Sequence, residues 1–236
     1  MASLNQLTSE IANSLGQPNN HVLKENIKHS IIHTRNELIR RSYENHAYID
    51  KGLMQRYKVT LENCTDGDIE LLFDNDIGED LIDELKETVG TIKRTINLVP
   101  RPVRLTNNLP FARVSTAGFK YNREFPFIKE TSARFRSNVP GLCGMPAYDY
   151  INERIYIFPA DGKELTINAI VLEAPFEYPT LIAIENGTAD EWDAINGDDE
   201  FLLPEDMIGQ IKDIIYKRDL LQTIRETNET SNIIKY

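Results

Sequence analysis

The sequence is short of the features that most often reveal a protein's function. Its 236 residues include one tryptophan and two cysteines, Cys64 and Cys143, which lie far apart without the spacing of a zinc site. No apolar run reaches the roughly 20 residues that a membrane-spanning helix needs. The start of the chain lacks a basic stretch followed by a continuous apolar one, so we expect no secretory signal peptide. The composition is typical of a soluble globular protein with reduced thiols.

Motifs of nucleotide-binding and hydrolytic enzymes are also missing. The run 161–164 lacks the upstream glycine and the Ser/Thr of a phosphate-binding loop, and the run 141–144 lacks the spacing of a dinucleotide-binding fingerprint. Neither a nucleophile elbow nor a zinc-protease helix occurs. Carboxylate pairs are abundant, but a single tryptophan is a poor supply of the aromatic platforms that glycosidases use. We therefore predict no enzymatic activity, no catalytic residue and no cofactor, and an enzyme is the least favoured alternative.

Two kinds of cluster resemble metal sites in part. Glu25, His29 and His33 follow one another at single helical turns, so their side chains share a helix face. No third ligand can be identified elsewhere, because the chain's four histidines all lie in its first fifth. The acidic run 74–80 lacks the glycine and the final glutamate of a calcium loop, and 197–200 is a second acidic loop. We expect solvated surfaces at these places and no metal site.

Charge is distributed in blocks along a chain whose net charge is −11. Residues 62–87 contain eleven acids and one base, residues 88–139 ten bases and two acids, and residues 185–206 nine acids and no base. Such blocks can be solvated faces without a special role. Alternatively, copies of the chain meet basic surface to acidic surface. The second interpretation predicts an inter-subunit basic face that comprises Arg101, Arg104, Arg113, Arg134 and Arg136.

The basic stretch from Lys93 to Arg136 also has an alternative interpretation. Its cations are interleaved with the aromatic residues Phe111, Phe119, Tyr121, Phe125 and Phe135. Cations beside stacking rings are what a protein that binds single-stranded nucleic acid needs. The rings can equally form core while the bases face acidic neighbours, and the net negative charge favours protein contacts over a nucleic-acid-binding module.

Helical spacing of apolar residues predicts several helices. A short one begins near Leu4 and ends at Gly16 and Pro18. A longer one is capped by Asn20 and continues to about Asn45, and a third covers about 78–89. Near the other end of the chain, Pro204 is a favoured first helical residue. The apolar positions of this last helix are Met207, Ile208, Ile211, Ile214, Ile215, Leu221 and Ile224.

Residues 91–185 are predicted to be rich in β-structure, and one strand precedes them at 55–61, where apolar and polar residues alternate. The clearest hairpin is Ala147–Phe158, with its turn at Asn152-Glu153. A further alternating strand is expected at 165–172. Pro100 and Pro102 place the run 96–105 at an edge or a bulge.

These elements predict an α+β fold in which the N- and C-terminal segments form a helical bundle and a β-rich insertion projects from it. Residues 1–50 and 203–225 form the helical body, residues 51–202 the β-rich domain, and residues 226–236 an extended C-terminal arm. In this arm a polar run precedes apolar residues, whereas a chain terminus is usually polar and frayed. We therefore predict partner binding by Asn232, Ile233, Ile234 and Tyr236.

The order of parts resembles the head-to-tail connector proteins of tailed bacteriophages, most closely those of crAss-like phages. The resemblance is clearest in Leu203-Pro204-Glu205-Asp206-Met207-Ile208, in the following run 210–215 and in the asparagine-rich run 227–232. The early pair of polar helices and the run 103–108 are also similar. The resemblance implies a structural virion protein of the adaptor or ring class of the phage neck, without catalysis or cofactor.

The resemblance also implies partners. Proteins of this class form rings, usually dodecamers, beneath the portal protein, with a C-terminal arm that reaches the portal or an adjacent copy. The expected partners are further copies, the portal, and tail or other ring proteins, with no membrane. Viral DNA would pass through the channel during genome ejection without sequence-specific binding, since surplus acid repels phosphate. The expected location is the virion neck or tail, and the host cytoplasm during assembly. Another tail or fibre-attachment protein is the alternative.

Overall fold

A computed structural model describes residues 3–46, 49–73, 91–117, 123–128, 145–159, 165–177, 201 and 203–218. The chain divides into two compact units. The helical unit comprises Met1–Met54, Glu177–Leu181 and Asp193–Tyr236. The sheet unit comprises Gln55–Phe176 and Ile182–Trp192.

Three helices form the described part of the helical unit, and the first two begin where the sequence supplies a cap. They are α1, Leu4–Ser14, α2, His21–His46, and a C-terminal helix of which residues 205–218 are described. The Ser3 side chain accepts a hydrogen bond from the Gln6 amide at 3.1 Å, and the Asn20 side chain accepts one from the Leu23 amide at 3.0 Å. Gly16, with a φ of +70°, lies just beyond α1. The predicted cap of α2 and the predicted end of α1 are confirmed.

The core of the helical unit forms where the apolar stripes of these helices meet. Leu7, Ile11, Ile31, Ile211 and Ile215 are each at most 2% exposed. They belong to one cluster of buried side chains together with Phe201 and Leu203. Because each helix has a single apolar stripe, none of the three could bury its stripe alone.

The sheet unit is built on six antiparallel strands and one short helix, α3, Asp66–Phe73. The strands are β1, Gln55–Asn63, β2, Lys93–Thr95, β3, Arg113–Thr116, β4, Ala147–Ile151, β5, Arg154–Phe158, and β6, Ala169–Ala174. Their order across the sheet is β3-β6-β1-β2-β5-β4. We label the helix at 205–218 α4.

The segment 123–128 hydrogen-bonds to both outer strands of this sheet. On one side, the Phe125 amide donates to the Val114 carbonyl of β3 at 2.8 Å. On the other side, the Ile128 amide donates to the Tyr148 carbonyl of β4 at 2.9 Å. One segment therefore covers both outer strands and closes the sheet on itself.

Two predicted elements of the sheet are confirmed in detail. Tyr57, Val59 and Leu61 of β1 are buried, and the residues between them are exposed. The β4–β5 hairpin turns at Asn152 and Glu153, whose φ angles of 50° and 61° fit the turn type that matches strand twist. The strand predicted at 165–172 is only partly correct, because β6 begins at Ala169. Within the run 96–105, Pro102 forms an isolated β-bridge with Phe176 and does not belong to any of the six strands.

The predicted architecture is wrong in its main element. The structure is organised around the six-stranded antiparallel sheet, with four helices among the described residues, rather than around a helical bundle with a projecting β-rich insertion. The α+β class holds. The sheet was underestimated because β2 and β3 have only three and four residues, too few to show alternation. The helix predicted at 78–89 lies outside the described residues.

Candidate assembly surfaces

The sheet unit has a row of alternating charges across adjacent strands. Glu173 of β6 is in register with Arg56 of β1 and with Arg113 of β3. A Glu173 carboxylate oxygen lies 2.7 Å from the Arg56 guanidinium and 3.9 Å from that of Arg113. Arg113 also lies 2.7 Å from the Glu124 carboxylate. Two cations and two anions therefore face one another here, and because Arg113 and Glu173 are only partly exposed while Arg56 and Glu124 are exposed, these pairs remain in contact with water.

The residues of the predicted inter-subunit basic face have different surroundings. Arg101 is paired with Glu153 of the β4–β5 turn at 2.5 Å, and Arg104 is exposed. Arg113 belongs to the charge row, where its acidic partners are Glu124 and Glu173. These ion pairs therefore place Arg101 and Arg113 beside different acids. Arg134 and Arg136 lie outside the described residues. The basic face remains a prediction, and the sequence alone did not indicate the acidic neighbours of Arg101 and Arg113.

The first base of the basic stretch is committed to contacts within the chain. Lys93 of β2 is 9% exposed. Its ammonium donates to the Ile167 carbonyl at 3.1 Å and to the Asn168 side-chain oxygen at 3.0 Å. Lys93 therefore helps to hold the chain that leads into β6 rather than forming a basic surface.

Arg94 is the centre of a partly buried charge cluster beside α3. Its guanidinium lies 2.9 Å from the Glu62 carboxylate and also contacts Asp68. The second oxygen of Asp68 accepts from the Thr65 amide at 2.9 Å and from the Thr65 hydroxyl at 2.6 Å. Burial would raise the pKa of Asp68, but the hydrogen bonds from Thr65 and the charge of Arg94 outweigh it and hold this pKa below its ordinary value.

This cluster predicts an acid-sensitive contribution to stability. Because the pKa of Asp68 is lower in the folded state, ionised Asp68 stabilises the fold fully at any pH above its unfolded-state pKa of about 3.9. This stabilisation is lost as the pH falls through the pKa of Asp68 in the folded state. Asp68→Asn should lower the free energy of unfolding at pH 7 by about 1–3 kcal/mol. Urea unfolding at pH 7 and below pH 4 measures this, and the difference from the unsubstituted chain should shrink in acid. Glu205→Gln, which changes an exposed carboxylate in the first turn of α4, is the control; an equal acid sensitivity of both variants would contradict the prediction.

The described rings of the basic stretch lie in the interior. Phe111 is 1% exposed and Phe125 is 4% exposed, and both belong to the core cluster of the sheet unit. Rings buried in this way are not available to stack on bases. Phe119, Tyr121 and Phe135 lie outside the described residues. What is described of this stretch supports the interpretation in which the rings form core.

The structure describes one of the two cysteines and, on α2, the candidate pair of histidines. Burial and the nearby Asp68 carboxylate raise the pKa of the Cys64 thiol to about 12, so this thiol stays protonated at neutral pH. His29 and His33 are exposed on α2, as the sequence predicts. Within the described ranges, no group of three or more His, Cys, Asp or Glu residues is placed to hold a metal ion. The acidic loops 74–80 and 197–200 and Cys143 lie outside these ranges.

The helical unit contains a cavity of about 270 Å³ between α2, residues 49–53 and the start of α4. Its floor consists of the buried side chains of Ile39, Ile49 and Leu53, and its walls include the half-buried Leu38, Pro204 and Met207. Its rim consists of four exposed polar residues, Ser42, Asp50, Asp206 and Gln210. Sequence patterns did not reveal this cavity, because its lining comes from three separate stretches of the chain. The predicted partner-binding residues Asn232, Ile233, Ile234 and Tyr236 lie outside the described residues.

No described helix is sufficiently long and apolar to cross a lipid bilayer. In a comparison with protein families, residues 6–235 match the family described as phage tail ring protein 2. No curated protein matches the chain. The family match extends across both compact units.

Proposed function

Since the chain belongs to the phage tail ring protein 2 family and is therefore a structural ring protein of the virion, we propose that its ring lies in the neck and connects the portal to the tail. The family match over residues 6–235 supports the ring itself, and the resemblance of the sequence to head-to-tail connector proteins supports its position in the neck. A ring requires each copy to present two different faces, one to each neighbour. The proposal involves no catalytic reaction and no cofactor.

The charge of the chain suits a ring through which DNA passes. A net charge of −11 would repel the phosphate backbone from a channel wall, so DNA would slide rather than bind. We propose a dodecamer whose partners are the portal and other tail or ring proteins. Copies would contact one another through the basic face that includes Arg101, Arg104 and Arg113, opposite acidic surface of the next copy.

A position further along the tail is the second candidate. The family description names a tail ring, and a ring at that position would contact tail proteins on both of its faces. In that case the chain would not contact the portal. A nucleic-acid-binding module is not proposed, since Phe111 and Phe125 are buried and Lys93 and Arg94 contact groups within the chain.

Electron microscopy of whole particles distinguishes the two candidates. We expect a ring of this protein directly below the portal, and we expect the purified chain to form a complex many times the mass of its 27.1 kDa monomer. Mass photometry measures the second quantity. A ring separated from the portal by other proteins would favour the tail position, and a chain that remains single in intact particles would exclude both.

A further inference from the structure

We propose that the cavity of the helical unit receives the apolar segment 233–236 of a second copy of this chain. This inference rests on the proposed function only in requiring adjacent copies in a ring. It identifies the receptor for a segment whose sequence alone indicates docking.

The cavity has the chemistry of a receptor for a short aliphatic segment. Its floor of Ile39, Ile49 and Leu53 is apolar and at most 8% exposed, so bound aliphatic groups would meet buried carbon rather than water. Both ionisable side chains of its lining are acidic, Asp50 and Asp206, and both are exposed. An apolar floor below an anionic rim fits a ligand that combines aliphatic side chains with one cation.

The segment 233–236, Ile-Ile-Lys-Tyr, has this combination. Ile233 and Ile234 provide the aliphatic groups, and Lys235 provides a cation that can face Asp50 and Asp206 at the rim. The preceding run 226–232 is polar, as expected of a linker that stays in water. Residues 233–236 follow this polar linker directly, so they are the part of 219–236 that we expect to enter the cavity.

The lengths involved favour a second copy over the same copy. The spacing of Leu221 and Ile224 predicts that α4 continues to residue 224, and a rise of about 1.5 Å per residue would place that end roughly 26 Å from Met207 at the cavity. The nine residues from 224 to 233 can span at most about 32 Å. To dock within one copy, residues 224–233 would therefore have to run back along their own helix in a nearly extended conformation, which costs conformational entropy. A neighbour in a ring imposes no such return.

Disulfide formation between two different full-length variants tests the inference. One variant contains Ser42→Cys at the cavity rim and the other contains Ile234→Cys, both with Cys143→Ser. Cys64, which is half-buried, is replaced by serine as well, so that each variant has only its introduced thiol. Disulfides form only when the two Cα atoms approach within about 7 Å. We expect cross-linked dimers in mixed rings under mild oxidation, and none when Arg40→Cys replaces Ser42→Cys, because Arg40 is exposed on the opposite side of α2 and lies outside the cavity lining.

The other outcomes identify other occupants. A disulfide that forms only within single chains of the Ser42→Cys, Ile234→Cys double variant would mean that each copy fills its own cavity, which overturns the inference. Rings without cross-links, or cross-links from Ile234→Cys to another virion protein, would overturn it while leaving the ring itself established. Failure to form rings with the unsubstituted chain would instead remove the proposed function, and the inference with it.

Charge reversal provides a second test with a matched control. Asp206→Lys should reduce the fraction of chains in rings several-fold, and Lys235→Glu in the same chain should restore it. Glu205→Lys is the control, because Glu205 is exposed in the same first turn of α4 but outside the cavity lining. Both substitutions remove one favourable charge from the positive end of the helix, so equal effects of the two, or no rescue by Lys235→Glu, would contradict docking at this rim.

Discussion

Phe111→Ala is expected to lower the free energy of unfolding by roughly 3–5 kcal/mol. The ring of Phe111 is 1% exposed and lies at the centre of the aromatic core of the sheet unit. Its centroid is 5.2 Å from that of Tyr150, 6.1 Å from that of Tyr148 and 6.4 Å from that of Phe176, all in edge-on arrangements. The substitution leaves a cavity among these rings and also removes pair interactions of about 0.5–1.5 kcal/mol each.

Urea unfolding followed by tyrosine fluorescence and circular dichroism measures this loss. Ile96→Ala is the control, because Ile96 is 43% exposed and should change stability by less than about 0.5 kcal/mol. Phe111→Leu should lie between the two, since it keeps part of the buried volume. A Phe111→Ala variant as stable as the Ile96→Ala control would mean that these rings are not the core of the unit. Because domains are stable by only about 5–15 kcal/mol, the variant is also expected to assemble poorly.

Deletion of residues 228–236 is expected to leave a folded monomer that no longer forms rings or joins the portal. The described core of the helical unit already includes α4 as far as Ile215, which is 2% exposed, so the three helix stripes meet before the deleted run begins. The expected loss of assembly follows from the proposed role of Asn232, Ile233, Ile234 and Tyr236 in partner binding. Circular dichroism should show unchanged folding, and mass photometry should show single chains.

Two full-length variants separate the apolar residues from the linker. Replacing Ile233 and Ile234 with aspartate should abolish assembly as completely as the deletion, because buried unpaired carboxylates are costly. Replacing Glu229 to Ser231 with a Gly-Ser sequence of equal length should preserve assembly, since this run needs only length and solubility. Normal rings and normal portal attachment by the truncated chain would rule out this role for the segment.

Local features of the fold could be predicted from the sequence, because their causes lie within a few residues. The Asn20 cap, the alternation of Tyr57, Val59 and Leu61, and the turn at Asn152-Glu153 are all of this kind. The sequence patterns do not predict helix α3, although the capping pair that starts it, Thr65 and Asp68, lies only three residues apart. The helix has only eight residues and lies within an acidic block, so its apolar spacing is too short to recognise.

Non-local features could not be predicted in this way. Nothing near Glu173 in the sequence indicates that Arg56 and Arg113, from two other strands, lie on either side of it. Arg35 lies on the buried side of α2 with no exposed surface, and its guanidinium is 5.8 Å from the centre of the Phe201 ring. Burial lowers the pKa of Arg35 to about 10, so it stays charged at neutral pH. A long polar side chain inside the helical core does not follow from any apolar stripe.

Occupation of both outer strands by the segment 123–128 has a consequence for a protein that works in many copies. An exposed strand edge is a template on which a further chain can add, and such addition propagates into fibres. At Val114 and Tyr148 those backbone groups are already bonded within the chain. Crowded subunits are thereby steered away from open-ended β-polymers, and the number of copies in a finished particle can be set by side chains and shape.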